Sequence, residues 1–395
     1  MEPKSTLREI LATALDAFLA THRLPLFVHR ALQAMRICRT AALGGHIKAC
    51  PRGHVEKVFY NSCGHRACPQ CAFLKIEQWL ETKRRQLLGC DHFHFTFTLP
   101  SELYVLWHYN YKAMADLLFR CAWETLSQLL ADPKWMGATP GALMALHTWS
   151  RTLAFNPHVH VLLTGGGLAE DGTWKSGRRR HLLSLDVVRL IFKAKYRDGL
   201  RRLLRRGELS LPPDMNELDA EWQIEKALRR KWIVDRRHRY EHGRGVLTYL
   251  ARYIRGGPIK NRRILAFDGE TVTFRRSRHK EPFEAITLTV TEFLHRIVRH
   301  IPPPSFRTVR GYGLYAPTSE EKRDLCRVQL GSLPHDPNVE AELPGDASRA
   351  TEEAAGRAEA DTCPVCGLAL AITWKMPRPK KRGPPQLRST SRSSS

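Results

Sequence analysis

The chain has 395 residues, 43% of them apolar, and its 63 Lys plus Arg against 39 Asp plus Glu leave a net charge of +24. That excess suits a polyanion, nucleic acid first among them, and the length allows two or three domains with a sizeable core. No apolar run approaches the roughly 18 residues that a membrane-spanning helix needs, so a basic membrane protein is not supported. The mixed charges of residues 1–9 do not make a signal peptide. The ten cysteines cluster among histidines rather than spreading as a disulfide framework, which points to metal binding in a reducing cytoplasm.

In chain order, residues 5–45 read as helices, with Leu7, Ile10, Leu11, Leu15, Phe18 and Leu19 at helical spacing. A cysteine and histidine cluster fills 46–71. Cys50-x3-His54 and Cys68-x2-Cys71 are two knuckle-like pairs, with Cys63 and His65 between them and His46 just before. Zinc needs four tetrahedral ligands, which paired tight turns supply. Cys50, Cys68 and Cys71 are expected as Zn²⁺ ligands, and His54 and Cys63 compete for the fourth place. A helix is expected over 72–88. His92 to Pro100 then alternates with period two, a strand with Phe93, Phe95 and Phe97 on one face. Residues 101–131 read as helical, and 143–150 and 157–163 as two strands joined by a short turn. Gly165-Gly166-Gly167 ends the second. A helix over 183–206, a short strand at 232–234 and a helix over 246–254 follow. Strands at 263–267, 271–275 and 285–289 and a helix over 291–300 close the folded part.

This order describes an α+β chain: a helical zinc-binding domain over 1–88, then a catalytic domain over 89–316 built on a central antiparallel sheet flanked by helices. Residues 317–362 are expected as a linker, Ala-, Glu-, Asp- and Gly-rich from 335 onward. The span 363–395 holds one more knuckle, Cys363-Pro-Val-Cys366, and a disordered Pro-, Arg-, Lys- and Ser-rich tail. Alone, Cys363 and Cys366 supply half of a zinc site.

The chemistry centres on Asn156-Pro-His158-Val-His160-Val-Leu162. Two residues apart on a strand, His158 and His160 point to one side, where neutral imidazoles can hold a divalent metal. His92 and His94 repeat the pattern, so spacing alone does not single out a site. The later pair is favoured because its strand runs into three glycines, where a backbone can approach a ligand closely, and because it follows His147 in a hairpin. His94 and His147 are both candidates for a third ligand or a supporting partner. Tyr249 and Tyr253 lie four apart, on one helical face. A phenol oxygen brought to the metal can attack a DNA phosphate and hold the strand as a phosphotyrosine. Arg252, Arg255, Lys260, Arg262 and Arg263 surround the pair with charge suited to phosphates. Basic stretches at 178–180, 229–239 and 275–280 can track a DNA backbone.

Asn156-Pro-His-Val-His-Val-Leu-Leu-Thr-Gly-Gly-Gly-Leu168, Tyr249-Leu-Ala-Arg-Tyr253 and Ile259-Lys-Asn-Arg-Arg263 together resemble the insertion sequence 91 family of rolling-circle transposases, of the His-hydrophobic-His endonuclease superfamily. Cys38-Arg-Thr-Ala-Ala-Leu-Gly-Gly-His46, Asn61 to Cys71, Phe95 to Pro100 and Arg310 to Leu314 fit as well, so the resemblance covers roughly residues 5–316. It departs at the first knuckle, Cys-x3-His here where relatives often carry Cys-x2-Cys. The resemblance implies an N-terminal zinc-binding domain and a bacterial, cytoplasmic, nucleoid-associated enzyme. That enzyme would nick and join single-stranded DNA at element ends and target. Mg²⁺ or Mn²⁺ would sit on His158 and His160, and Tyr249 and Tyr253 would be the nucleophiles, leaving a 5′-phosphotyrosine and a free 3′-hydroxyl. A replication-initiator nuclease shares this chemistry, whereas a non-catalytic zinc-finger DNA-binding protein would need neither the histidines nor the tyrosines.

Overall fold

The computed structural model describes residues 5–71, 86–177, 182–240, 257–276, 284–331 and 362–378. The first helix, Leu7–Thr21, is set by a capping box: the Thr6 hydroxyl accepts from the Glu9 amide, and the Glu9 carboxylate accepts from the Thr6 amide at 2.9 Å. Its buried stripe of Leu7, Ile10, Leu11, Leu15 and Phe18 packs on the second helix, Leu26–Arg36. Strands β1 (Gly45–Ala49) and β2 (Glu56–Tyr60) follow as an antiparallel hairpin.

The central sheet contains β3 (His92–Thr98), β4 (Thr139–Trp149), β5 (Phe155–Leu168), β6 (Trp174–Ser176), β7 (Ile233–Tyr240) and β11 (Val309–Gly313). Its order is β11-β4-β5-β3-β7, with β6 on the end of β5, and every pairing is antiparallel. One face carries Phe93, Phe95, Phe97, Met144, Leu146, Val159, Val161 and Leu163 into the main core. The helices Tyr111–Ala131, Leu185–Arg205 and Glu217–Arg229 cover that face through Leu118, Phe119, Phe192, Tyr196 and Ile224. Burying each such side chain stabilises the fold by about 1.5–3 kcal/mol. The opposite face carries His94, Thr96, His147, His158 and His160, all buried as well.

A second core joins the chain's beginning to its later part. Leu11, Leu15, Leu32, Cys68 and Cys71 pack with Ile259, Ile264, Val272, Phe274, Phe293 and Ile297. Ile259 precedes β8 (Ile264–Phe267), and the others come from β8, β9 (Thr271–Arg275) and the helix Val290–Val298, with β10 (Ala285–Thr289) completing the small sheet β10-β9-β8. A third sheet, β12-β1-β2, is closed by β12 (Ala371–Met376) from the far end of the chain.

Several elements differ from the sequence expectations. The strand expected at 232–234 runs on to Tyr240. The helix Glu217–Arg229 is unanticipated because only Ala220, Ile224 and Ala227 mark its buried side. The helix Glu320–Gln329 occupies the start of the expected linker, held by buried Arg323 and Cys326. Met376, expected in the disordered tail, ends β12. Strand β5 does not stop at its three glycines: a side chain at Gly166 would collide with Trp174 of β6, so the run serves strand packing rather than approach to a ligand. The helices expected over 72–88 and 246–254 and the acidic stretch 335–362 fall, but for a few end residues, outside the described residues. Among the described residues no helix is long and apolar enough to cross a membrane.

His300 is buried, its Nε2 bonded to the Leu153 carbonyl at 3.0 Å and its Nδ1 to the Thr148 hydroxyl at 3.1 Å. Burial pushes its pKa down to about 4. A histidine neutral in the fold and near 6.5 when unfolded takes up its proton only on unfolding, so stability is present above about pH 6.5 and is lost as pH falls toward 4. Gln can keep both bonds without titrating. Denaturation midpoints are therefore expected to fall further between pH 7 and 4.5 for the wild type than for His300→Gln, and parallel pH slopes would contradict this assignment.

Candidate metal centres and active site

The register of the central sheet assembles the histidines. His147 of β4 stands directly opposite His158 of β5, and Ala145 opposite His160. On the other side of β5, Thr96 of β3 is opposite His160 and His94 is opposite Leu162. The ligand nitrogens of His147, His158 and His160 all lie within 4.8 Å of one another. His158 Nδ1 meets the Asn156 carbonyl at 2.7 Å, a bond only an N–H can make, so Nε2 keeps its lone pair. That Nε2 is 3.1 Å from His160 Nε2, and His160 Nδ1 is 2.9 Å from His94 Nε2. Thr96 Oγ1 lies 3.3 Å from both His160 Nδ1 and His94 Nε2.

This wiring has two proton settings. In one, His94 donates to His160 Nδ1, and His160 donates from Nε2 to His158. In the other, His160 donates from Nδ1 to His94, and both Nε2 lone pairs face one point beside His147. Two lone pairs so close repel unless a cation lies between them, and an outer acceptor behind each ligating imidazole is the usual support of a metal site. The residues therefore fit a divalent ion, with His147 completing the donor set and His94 behind His160. His92, by contrast, bonds the Cys90 carbonyl at 2.8 Å and the Tyr315 hydroxyl at 2.7 Å, a satisfied structural histidine.

Trp149 stacks on His147, ring centroids 4.6 Å apart. Both line a cleft with Arg66, Tyr111, Gly257 and His300. Arg66 donates to the Phe306 carbonyl at 2.6 Å, and burial lowers its pKa. Arg66 and Ala67 belong to the loop between Cys63 and Cys68, so the cysteine region forms one wall of the histidine cleft. Gly257 reaches that wall because its α-carbon packs on the Ala67 carbonyl, where any side chain would collide.

The cysteines expected as zinc ligands fall into two groups rather than one. Cys63, Cys68 and Cys71 gather with Cys38, and Cys50 and His54 gather with Cys363 and Cys366. In the first group Cys38 and Cys71 are 3.2 Å apart, Cys63 and Cys71 3.5 Å, and Cys38 and Cys68 3.6 Å. A tetrahedral zinc with Zn–S near 2.3 Å spaces its sulfurs by about 3.8 Å. Hydrogen bonds within the group pull the Cys71 thiol well below the usual thiol range and push that of Cys68 well above it. Cys38 was not among the expected ligands, because it lies far from any knuckle in sequence. His46 stacks on Phe59, and His65 accepts from the Ala67 amide; neither joins a group.

Tyr249, Tyr253, Arg252 and Arg255 lie outside the described residues. Lys260 and Arg262 are half-buried on the segment beyond Gly257. Arg263, expected among the phosphate-binding residues, turns onto carbonyls of its own fold. It donates to Arg275 at 2.9 Å and to Arg151 at 2.7 Å and lies over the Phe274 ring. Burial lowers its pKa to about 10, so it stays charged at neutral pH.

Family models match in two places: "Transposase zinc-binding domain" over residues 10–99 and "Putative transposase" over residues 141–323. "Putative transposase y4qJ" of Sinorhizobium fredii is 33% identical over 367 residues, covering 91% of this chain and 92% of that protein. The transposase for insertion sequence element IS801 of Pseudomonas savastanoi pv. phaseolicola is 32% identical over 292 residues, covering 71% of this chain and 68% of the relative. Among solved structures, the conjugative relaxase TrwC in complex with oriT DNA, metal-bound, aligns over 40% of this chain and 70% of its own, at 14% identity and a TM-score of 0.23. The sequence matches make the chain a transposase. It belongs to the insertion sequence 91 family, with a zinc-binding domain at its N-terminal end.

Two outcomes follow from the geometry. Cys68→Ser is expected to lower zinc content and the thermal midpoint together, since a structural site contributes folding energy; an unchanged zinc content would remove Cys68 from the ligands. His94→Ala is expected to weaken divalent-metal binding at the histidine site by about 10–100-fold without abolishing it, the usual cost of losing an outer partner. Titration calorimetry reads the difference, and equal affinity would show that His94 does not orient His160.

Proposed function

We propose that the chain nicks and rejoins single-stranded DNA at element ends through a 5′-phosphotyrosine, with His147, His158 and His160 holding the catalytic divalent ion. The observation that carries this reading is the convergence of three buried imidazoles within 4.8 Å on one face of the sheet, beside a cleft. When bound, the ion neutralises charge on the scissile phosphate and its leaving oxygen. An all-imidazole donor set suits Mn²⁺ or a later first-row ion better than Mg²⁺, which prefers oxygen ligands.

The chain's own groups do the rest. The phenol oxygen of Tyr249 or Tyr253 forms a bond to phosphorus, and the bond from phosphorus to the 3′-oxygen breaks. The phenol gives up its proton, and the 3′-oxygen takes one. Gly257 is fixed at the cleft four residues beyond Tyr253, and four residues span at most about 14 Å. That short spacing supports pairing Tyr253 with the histidines, and the second tyrosine gives a second transfer at the other end or the target. Trp149, stacked on His147 in the cleft, offers an aromatic face to an unpaired base. The cysteine group Cys38, Cys63, Cys68 and Cys71 holds structural zinc.

A nicking assay on single-stranded oligonucleotides tests the reading. His160→Ala is expected to abolish metal-dependent nicking while sparing DNA binding. Replacing both tyrosines with Phe is expected to abolish the covalent adduct with little change in packing. An adduct formed by the double Phe variant would place the nucleophile elsewhere. Binding is expected to weaken steeply with salt through loss of counterion release, and a salt-indifferent affinity would count against a phosphate-tracking surface.

A further inference from the structure

We infer that Cys50, His54, Cys363 and Cys366 form a second zinc site, independent of the first, which fastens the C-terminal segment onto the N-terminal zinc-binding domain. The four donors come from two turns facing each other across the chain. In the first turn the Gly53 amide donates to the Cys50 carbonyl at 2.8 Å, the Arg52 amide to Cys50 Sγ at 3.3 Å, and Gly53 takes a φ of +76°. In the second the Gly367 amide donates to the Cys363 carbonyl at 2.8 Å, and Gly367 takes a φ of +71°. Each is a tight loop that turns its donors toward the other, and together they offer three thiols and one imidazole, a common structural zinc set.

The donors already meet. Cys50 Sγ lies 3.5 Å from Cys366 Sγ and 3.7 Å from His54 Nδ1, and Cys363 Sγ lies 3.8 Å from the same nitrogen. Cys50 and Cys366 are far beyond the roughly 2.05 Å of a disulfide. The mixed imidazole and thiol composition suits a metal better than a pair of bridges. The Cys-x3-His turn that departs from the more usual Cys-x2-Cys is thereby accounted for as a working half-site.

The surrounding sheet needs such a staple. β12 pairs with β1 along its length, yet Val58, Tyr60, Ile372 and Trp374 are exposed, at 52%, 41%, 53% and 53%. The buried cluster beneath the turns is only Cys50, Cys363 and Leu370, with Val55 and Cys366 against it. So small a core does little by itself to hold the end of the chain in place. A metal does more, because its binding energy becomes folding energy. Closure also brings Arg378 against Gly44 of the zinc-binding domain.

The full-length protein, purified reduced with zinc, is expected to hold two structural zinc ions per chain by elemental analysis after removal of ions at the weaker histidine site by dialysis. Cys366→Ser and Cys363→Ser are each expected to leave one, and Cys68→Ser to leave the other, so that failure of either site is seen separately. Cys366→His, which restores a ligand, is expected to retain two. Proteolysis within 332–361 is expected to leave the C-terminal fragment bound in the wild type and to release it in Cys366→Ser. One structural zinc in the wild type, or two in both Cys363→Ser and Cys366→Ser, would overturn the proposal. So would a Cys50–Cys366 disulfide found by non-reducing mass spectrometry. Should the serine variants fail to fold, the wild-type count and the cobalt-substituted spectrum decide. A site of three thiolates and one imidazole differs from a site of four thiolates in its thiolate-to-cobalt absorption.

Discussion

The pairing of β4 with β5 is the constraint on which the site depends. It sets His147 against His158 and, two positions on, Ala145 against His160. The small Ala145 leaves the imidazole of His160 room to turn toward its neighbours. Because side chains alternate along a strand, the same register that puts Val159 and Val161 into the core puts both histidines on the opposite face. A slip by one residue would exchange the two sets. The apolar face thus guards the polar one: any shift that misplaced the histidines would also expose Val159, Val161 and Leu163 and lose several kcal/mol of burial. Buried imidazoles are costly unless bonded, and bonds to Asn156, Thr96 and one another hold His94, His158 and His160 in place.

The cysteine region is joined to this site by packing. Cys68 and Cys71 share a core with Ile259 and Phe293, Arg66 and Ala67 wall the cleft, and Gly257 rests on the Ala67 carbonyl. The segment that begins at Gly257 is therefore anchored on the cysteine-bearing loop. Loss of the first cysteine group would loosen one wall of the cleft and the anchor of Gly257 together. Zinc here would act on the rest of the transposase through geometry, at a distance from the cleft.

How far the sequence disclosed this structure depended on the range of each signal. Period-two runs disclosed β3, β4 and β5, and with them the side of the sheet that His158 and His160 occupy. Helical spacing disclosed the first helices. Spacing could not separate His94 from His147 as the third donor, because that choice depends on cross-strand register: His147 falls opposite His158, and His94 falls opposite Leu162. Nor could it sort the cysteines. Cys50 and Cys68 read as partners because they are near in sequence, but Cys50 completes its group with residues from the opposite end of the chain. Local patterns report turns well and report partners poorly when the partners are brought together by tertiary closure. Small-residue stripes such as Ala220, Ile224 and Ala227 were silent for another reason: they bury too little apolar surface to stand out from their polar neighbours.

The basic excess carries a related lesson. A net charge of +24 suggests a surface given wholly to phosphate, yet several guanidiniums face inward. Arg66 holds Phe306, Arg263 holds Arg275 and Arg151, Arg296 holds Thr152, and Arg323 holds Leu314 and Ala316, each through backbone carbonyls. A planar guanidinium can satisfy several carbonyls that loops would otherwise leave unpaired. A guanidinium committed to carbonyls in this way is less available to phosphate. The salt dependence of binding therefore reports fewer contacts than the charge count, and substituting an inward arginine would lower stability before it lowered affinity.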